Sequence, residues 1–167
     1  MLETNHGDAR DAAAEWARGA ERVLVACAKA LDLCEPEEVL SYPRRLIPGY
    51  DELLRSTDLA QVTDDEFWQL CSQLLALVAP VMIVERQVRW VPDGASTTEG
   101  AYCLEVSAAG NPVRLDPAAL VRQVFDSETP QATILVSLAE YQFDSATHRG
   151  TVPETVITRT FGSGRGV

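Results

Sequence analysis

The tightest constraint on the fold lies at Thr63-Asp64-Asp65-Glu66. A threonine followed three residues later by a glutamate forms a capping box. The hydroxyl accepts the Glu66 amide proton while the carboxylate reaches back to the threonine amide, so two donors left open at a helix start are satisfied. Behind this cap Phe67, Cys71, Leu74, Leu75 and Val78 recur at three- and four-residue spacing, with Asp65, Gln69, Ser72 and Gln73 on the other side. The chain therefore contains a helix with one apolar face, which other segments must cover. Pro80 lacks the amide that would continue the ladder, so the helix is predicted to end there.

The run from Val81 to Val91 is rich in β-branched residues and then alternates, which predicts a strand. In that strand Arg86 shares a face with Val84, Val88 and Trp90, and Glu85 shares the other with Ile83, Gln87, Arg89 and Val91. Pro92-Asp93-Gly94 reads as a turn, and Ala101 to Ser107 as a second alternating strand with Tyr102, Leu104 and Val106 on one side. Val113 to Leu115 follows as a short third strand. Asp116 then caps a helix with Pro117 in its first position, where proline's missing amide costs nothing. Thr133 to Phe143 begins with β-branched residues and is read as a strand, as is Thr155 to Phe161.

Upstream, the alanine-rich run from Asp8 to Leu31 contains no breaker except Gly19 and predicts a long first helix, with Trp16, Ala20, Val23, Cys27, Ala30 and Cys34 on one face. Pro36 starts a short helix. Ser41 to Gly49, holding Pro43 and Pro48, is read as an ordered loop. The expected architecture is α+β: amino-terminal helices packed on a mainly antiparallel sheet with one inserted helix. It is expected as a single domain over residues 1–167, with flexible ends at about 1–8 and 162–167.

Charge narrows the partners. The chain carries 25 acidic and 14 basic side chains, a formal net charge of -11. Residues 1–66 hold 15 acids and 7 bases, or -8, and the remainder 10 and 7, or -3. Such a surface repels phosphate backbones and anionic lipid, so no nucleic acid and no membrane is expected as a partner, and a protein with a basic surface is. A homo-oligomer is compatible with the apolar strand edges. The amino terminus has neither a basic start nor an apolar run, and Leu74 to Val84 falls short of the roughly 20 residues that span a bilayer. Cys27, Cys34, Cys71 and Cys103 sit among apolar neighbours without a CxxC pair, as reduced, buried thiols do. Together these predict a cytoplasmic location.

No phosphate-cradling loop, nucleophile elbow or metal-ligand spacing is present, and the only histidines are His6 and His148. No cofactor and no metal is expected, and no catalytic residue is assigned. Two constellations stand out. Tyr42, Arg44, Arg45 and Tyr50 place aromatic and guanidinium groups, which dominate protein contacts, in the proline-held segment. Arg86, with Trp90, Tyr102, Glu105 and Tyr141, would anchor an anionic ligand in a pocket between the sheet and the amino-terminal helices; Glu105 and Glu140 are the internal acids that could instead pair with Arg86. The first predicts an acidic interaction module, accessory, antitoxin-like or chaperone-like, docking a basic protein surface. The second predicts a small-molecule enzyme or binding protein.

Overall fold

A computed structural model describes residues 6–32, 35–93, 102–108 and 111–148. The expected strand Thr155 to Phe161, Cys34 and the expected flexible end at 162–167 lie outside the described residues. Helix α1 (His6–Ala30) starts inside the expected lead-in and passes through Gly19 unbroken. Its buried face is centred on Ala13, Ala20, Leu24, Cys27 and Ala28. Relative to the expected face the helix is rotated, so Ala20 and Cys27 go inside while Trp16 and Val23 stay at the margin, 41% and 36% exposed.

Helix α2 (Pro36–Val39) begins at its proline. The segment expected as an ordered loop is instead helical: a 3-10 turn, Pro43–Leu46, runs directly into α3 (Ile47–Ser56). Both prolines stand in first turns, where the amide they lack would have had no intrahelical acceptor. Pro43, Leu46, Ile47, Tyr50 and Leu54 are buried, and that burial gives the segment a reason to be regular.

Helix α4 (Asp64–Arg86) opens on the capping box, with Glu66 N donating to Thr63 Oγ1 at 3.4 Å and Thr63 N donating to Glu66 Oε2 at 2.9 Å. It does not stop at Pro80. Leu77, Val78, Ala79, Pro80, Val81 and Met82 are all buried, and burying a large apolar side chain stabilises by about 1.5–3 kcal/mol. Several such groups outweigh the roughly 3 kcal/mol that a helix-interior proline costs. The helix ends at Gln87, whose φ of 54° is left-handed and whose amide donates to the Ile83 carbonyl at 3.1 Å. Glu85 and Arg86 are therefore on a helix, and the strand expected from Val81 shrinks to β1 (Arg89–Pro92).

Strands β1, β2 (Tyr102–Ala108) and β3 (Asn111–Leu115) form an antiparallel sheet in the order β1-β2-β3. One rung, Trp90, Leu104 and Leu115, is buried in the core. The next, Arg89, Glu105 and Arg114, belongs to the opposite face because side chains alternate. Helix α5 (Pro117–Phe125) starts as expected, with Asp116 accepting from the amides of Ala118 and Ala119 at 2.9 and 3.1 Å.

The segment expected as a strand from Thr133 to Phe143 is helix α6 (Ala132–His148). Its start is capped from a distance: Asp51 of α3 accepts from the Thr133 amide at 3.1 Å and from the Thr133 hydroxyl at 2.5 Å. Leu135, Val136, Ala139 and Phe143 are buried at helical spacing, so tertiary cover overrides local β preference. The fold is α+β, with α1 packed on the antiparallel sheet, and α3 to α6 share the core with it. Because it continues past Pro80, α4 is a 23-residue helix long and apolar enough to cross a membrane, contrary to the shorter run expected. Half of its apolar window is buried inside the fold.

Candidate interaction surface

The two expected constellations do not assemble as groups. Tyr50 is wholly buried and its hydroxyl has no hydrogen-bond partner. Burial first, and the neighbouring Cys27 thiol second, push its pKa well above the ordinary tyrosine value. Tyr42 is 57% exposed with the Arg45 guanidinium over its ring at 4.7 Å, and Arg45 pairs with Glu38 at 2.5 Å. Arg44 turns to the carboxylates of Glu85 and Glu140. Its hydrogen bond to Glu85 is the largest influence holding the Glu85 carboxyl below the usual range.

Arg86 pairs with Asp144 at 2.9 Å and approaches Glu140 at 3.9 Å, so Glu140 is the internal acid near it. Glu105 is buried on the sheet and belongs to other arginines: Arg89 donates to it at 2.8 Å and Arg114 at 2.9 Å. The hydrogen bond from Arg89, then that from Arg114, lowers its pKa. Tyr141 is on the outer surface of α6, 69% exposed. Of the expected pocket residues only Trp90 and Tyr102 meet, through a third ring: Trp16 stacks on Tyr102 at 5.1 Å and stands edge-on to Trp90 at 6.2 Å.

Trp16 and Tyr102 from that aromatic group line a groove of about 580 Å³ between α1, α4 and β2, which reaches along α1 from Ala12 to Val23. Trp16, Gly19, Ala20 and Val23 line it from α1, Ser72, Leu75 and Ala76 from α4, and Tyr102 from β2. On α1 these residues recur at three- and four-residue spacing, so the groove runs along the helix rather than into the core. Its rim is nearly neutral, since Glu15 is paired with Arg18 and Arg22. One turn before Ser72, whose hydroxyl donates to the Trp68 carbonyl, Trp68 stands 64% exposed on the same side of α4. Neither Trp68 nor the exposure of Trp16 and Val23 was legible as a site. Trp16 and Val23 read as core, and the available signal was Trp68 lying among Asp64, Asp65 and Ser72 on the polar side of its helix.

The acid excess is segregated. Residues 32–66 hold ten acids and three bases, a net of -7 out of -11. Burial pushes the Cys71 and Cys103 thiols up and away from the thiolate form. Among the described residues no three His, Cys, Asp or Glu side chains converge as cation ligands.

Comparison with known proteins gives no match: no family model fits the chain, and no curated protein or solved structure is similar to it.

Proposed function

We propose that this chain is a non-enzymatic interaction module that docks a basic protein surface, with the α1–α4 groove as its contact site. The observation that carries the reading is the exposure of Trp16 and Val23 inside a concave apolar strip, with Trp68 exposed one turn before Ser72 on the same side of α4. Large aromatic side chains are costly to leave wet and supply much of the affinity when covered. The acid-rich stretch from 32 to 66 adds the complementary field, which raises the encounter rate with a cationic partner more than it raises affinity. The expected partner residues Tyr42 and Arg45 belong to this reading only as a secondary exposed patch.

Gly19 provides a clean test. A Cβ there meets nothing nearer than the Arg22 Nη2 atom at 4.0 Å, so the backbone position accepts a side chain, and Gly19→Leu directs its bulk into the groove and favours the helix. A photoreactive residue at position 23 should cross-link a partner protein in the source cell, and the adduct should vanish in Gly19→Leu while the fold persists by circular dichroism. Equal adducts from positions 23 and 141, or adducts that survive Gly19→Leu, would remove the groove from the interface.

A second reading keeps the groove but fills it with a small molecule, since its volume falls within the roughly 300–1,000 Å³ of ligand pockets. The Trp16–Tyr102 stack favours a flat apolar ligand over the anion expected at Arg86. Thermal shift with planar aromatic compounds, in wild type and Gly19→Leu, separates the two readings.

A further inference from the structure

We infer that the occupant of the α1–α4 groove is a cationic amphipathic helix whose basic end lies over Trp68, Asp64 and Asp65. The inference rests on the docking reading above and adds the partner's chemistry and direction.

The groove follows two helices and is apolar along its floor, a shape that takes a ridge of side chains at three- and four-residue spacing. Beyond Ser72 the surface changes character. Trp68 stands exposed one turn before it on the same side of α4, and Asp64 and Asp65 precede Trp68 by four and three residues, which makes them its neighbours on the helix surface. The indole stands edge-on to Phe67 at 6.1 Å, and helical side chains lean toward the amino terminus, here the turn that holds both acids.

Asp64 and Asp65 are exposed, and neither has an ion-pair partner among the described residues. Glu66, the third acid of this turn, is turned back onto Thr63. The helix amino terminus supplies only about half a positive charge, too little to balance three carboxylates. An exposed indole beside two unpaired carboxylates is a receptor for lysine or arginine, which gains a cation–π contact and an ion pair together. Within the groove lining Glu15 is occupied by Arg18 and Arg22, so the groove itself offers no such receptor. The polarity of the strip therefore sets the polarity of the ligand: apolar ridge toward Trp16 and Tyr102, cations toward Asp64.

The test uses three synthetic helical peptides with one leucine ridge and lysine, glutamine or glutamate flanks, titrated into the full chain by calorimetry at two salt concentrations. The lysine peptide should bind more tightly than the glutamine peptide, and the glutamate peptide most weakly. Trp68→Ala should weaken the lysine peptide by roughly three-fold, as expected for an exposed cation–π contact. The double variant Asp64→Asn/Asp65→Asn should cut the lysine preference to the roughly three-fold that Trp68 supplies, while leaving the glutamine peptide unchanged. Equal binding of lysine and glutamine peptides, both lost in Gly19→Leu, would overturn this inference and leave the groove reading standing. If no peptide binds and sedimentation shows a dimer that Gly19→Leu converts to monomer, the occupant is a second copy of this chain and both readings fall. If no peptide binds a monomeric wild type, this inference is overturned, and the photo-cross-link from position 23 decides the groove reading separately.

Discussion

Arg44 meets Glu140 at 2.5 Å although the two are 96 positions apart in the chain. The same guanidinium holds Glu85, so one side chain from the turn before α3 ties the end of α4 to the middle of α6. Arg86 binds Asp144 beside it, and the cluster carries two cations against three carboxylates.

The first prediction concerns this cluster. Arg44 is 46% exposed, so solvent screens much of its attraction, and Arg44→Met should lower stability by only about 1 kcal/mol. In a double-mutant cycle with Glu140→Gln the coupling should fall at roughly 0.5–1 kcal/mol. Urea unfolding of the four proteins measures it, and a coupling indistinguishable from zero would reduce the contact to packing.

Tyr50 supports a second prediction. Its hydroxyl is buried without a hydrogen-bond partner, and leaving such a group unmade costs about 1–3 kcal/mol. Tyr50→Phe removes the hydroxyl and keeps the ring, so the variant should be at least as stable as wild type. Partner binding should not change, because the residue has no exposed surface. Thermal denaturation checks the first statement, and a lower midpoint would mean that the Cys27 thiol satisfies the hydroxyl.

These residues also show what a reader of the sequence alone can and cannot see. The capping box at Thr63 and the Asp116-Pro117 start were legible because their physics is local: a side chain and an amide three residues apart decide them. Pro80 and the Thr133 to Phe143 segment misled because their local preferences are weak beside distant contacts. Burial of the residues around Pro80 holds α4 together, and Asp51, 82 positions away, caps α6. The rotation of α1 that leaves Trp16 and Val23 at the margin depends on where α4 and the sheet lie, and spacing within α1 does not encode that. The acid excess and the spacing of Asp64 and Asp65 from Trp68 were readable in the sequence, whereas the exposure of Trp68 required the packing of α4 against its neighbours.

Gln87 gives a third prediction. It ends α4 with a φ of 54°, a conformation that crowds any side chain with a Cβ. Gln87→Gly should raise stability by about 0.5–1 kcal/mol, with relief of this crowding exceeding the added freedom of glycine in the unfolded chain. Gln87→Val should lower it, because β-branching worsens the clash. Chemical denaturation of both variants tests the ordering, and a stabilised valine variant would show that α4 does not need the left-handed residue to stop.

The last prediction follows from Glu105, the one charged side chain among the described residues that is both buried and shared. Its two oxygens take one arginine each, Oε1 from Arg89 on β1 and Oε2 from Arg114 on β3, along a single rung of the sheet. Both arginines lower its folded pKa relative to an unfolded value near about 4.3. A depressed carboxyl stabilises the fold fully above the unfolded value, and that contribution disappears as the pH falls through the lower folded value. Glu105→Gln leaves one oxygen to accept and an amide nitrogen facing the other guanidinium, so it can serve only one arginine. At neutral pH the variant should be less stable by about 1–3 kcal/mol. The gap should begin to narrow below about pH 4, where the unfolded carboxyl takes up its proton, and close as the pH falls through the lower folded value, where the wild-type side chain resembles the amide in charge. Unfolding measured from pH 7 to pH 2 follows the gap directly. A difference independent of pH would show that the carboxylate's charge contributes nothing, and that shape alone fixes the register of the three strands.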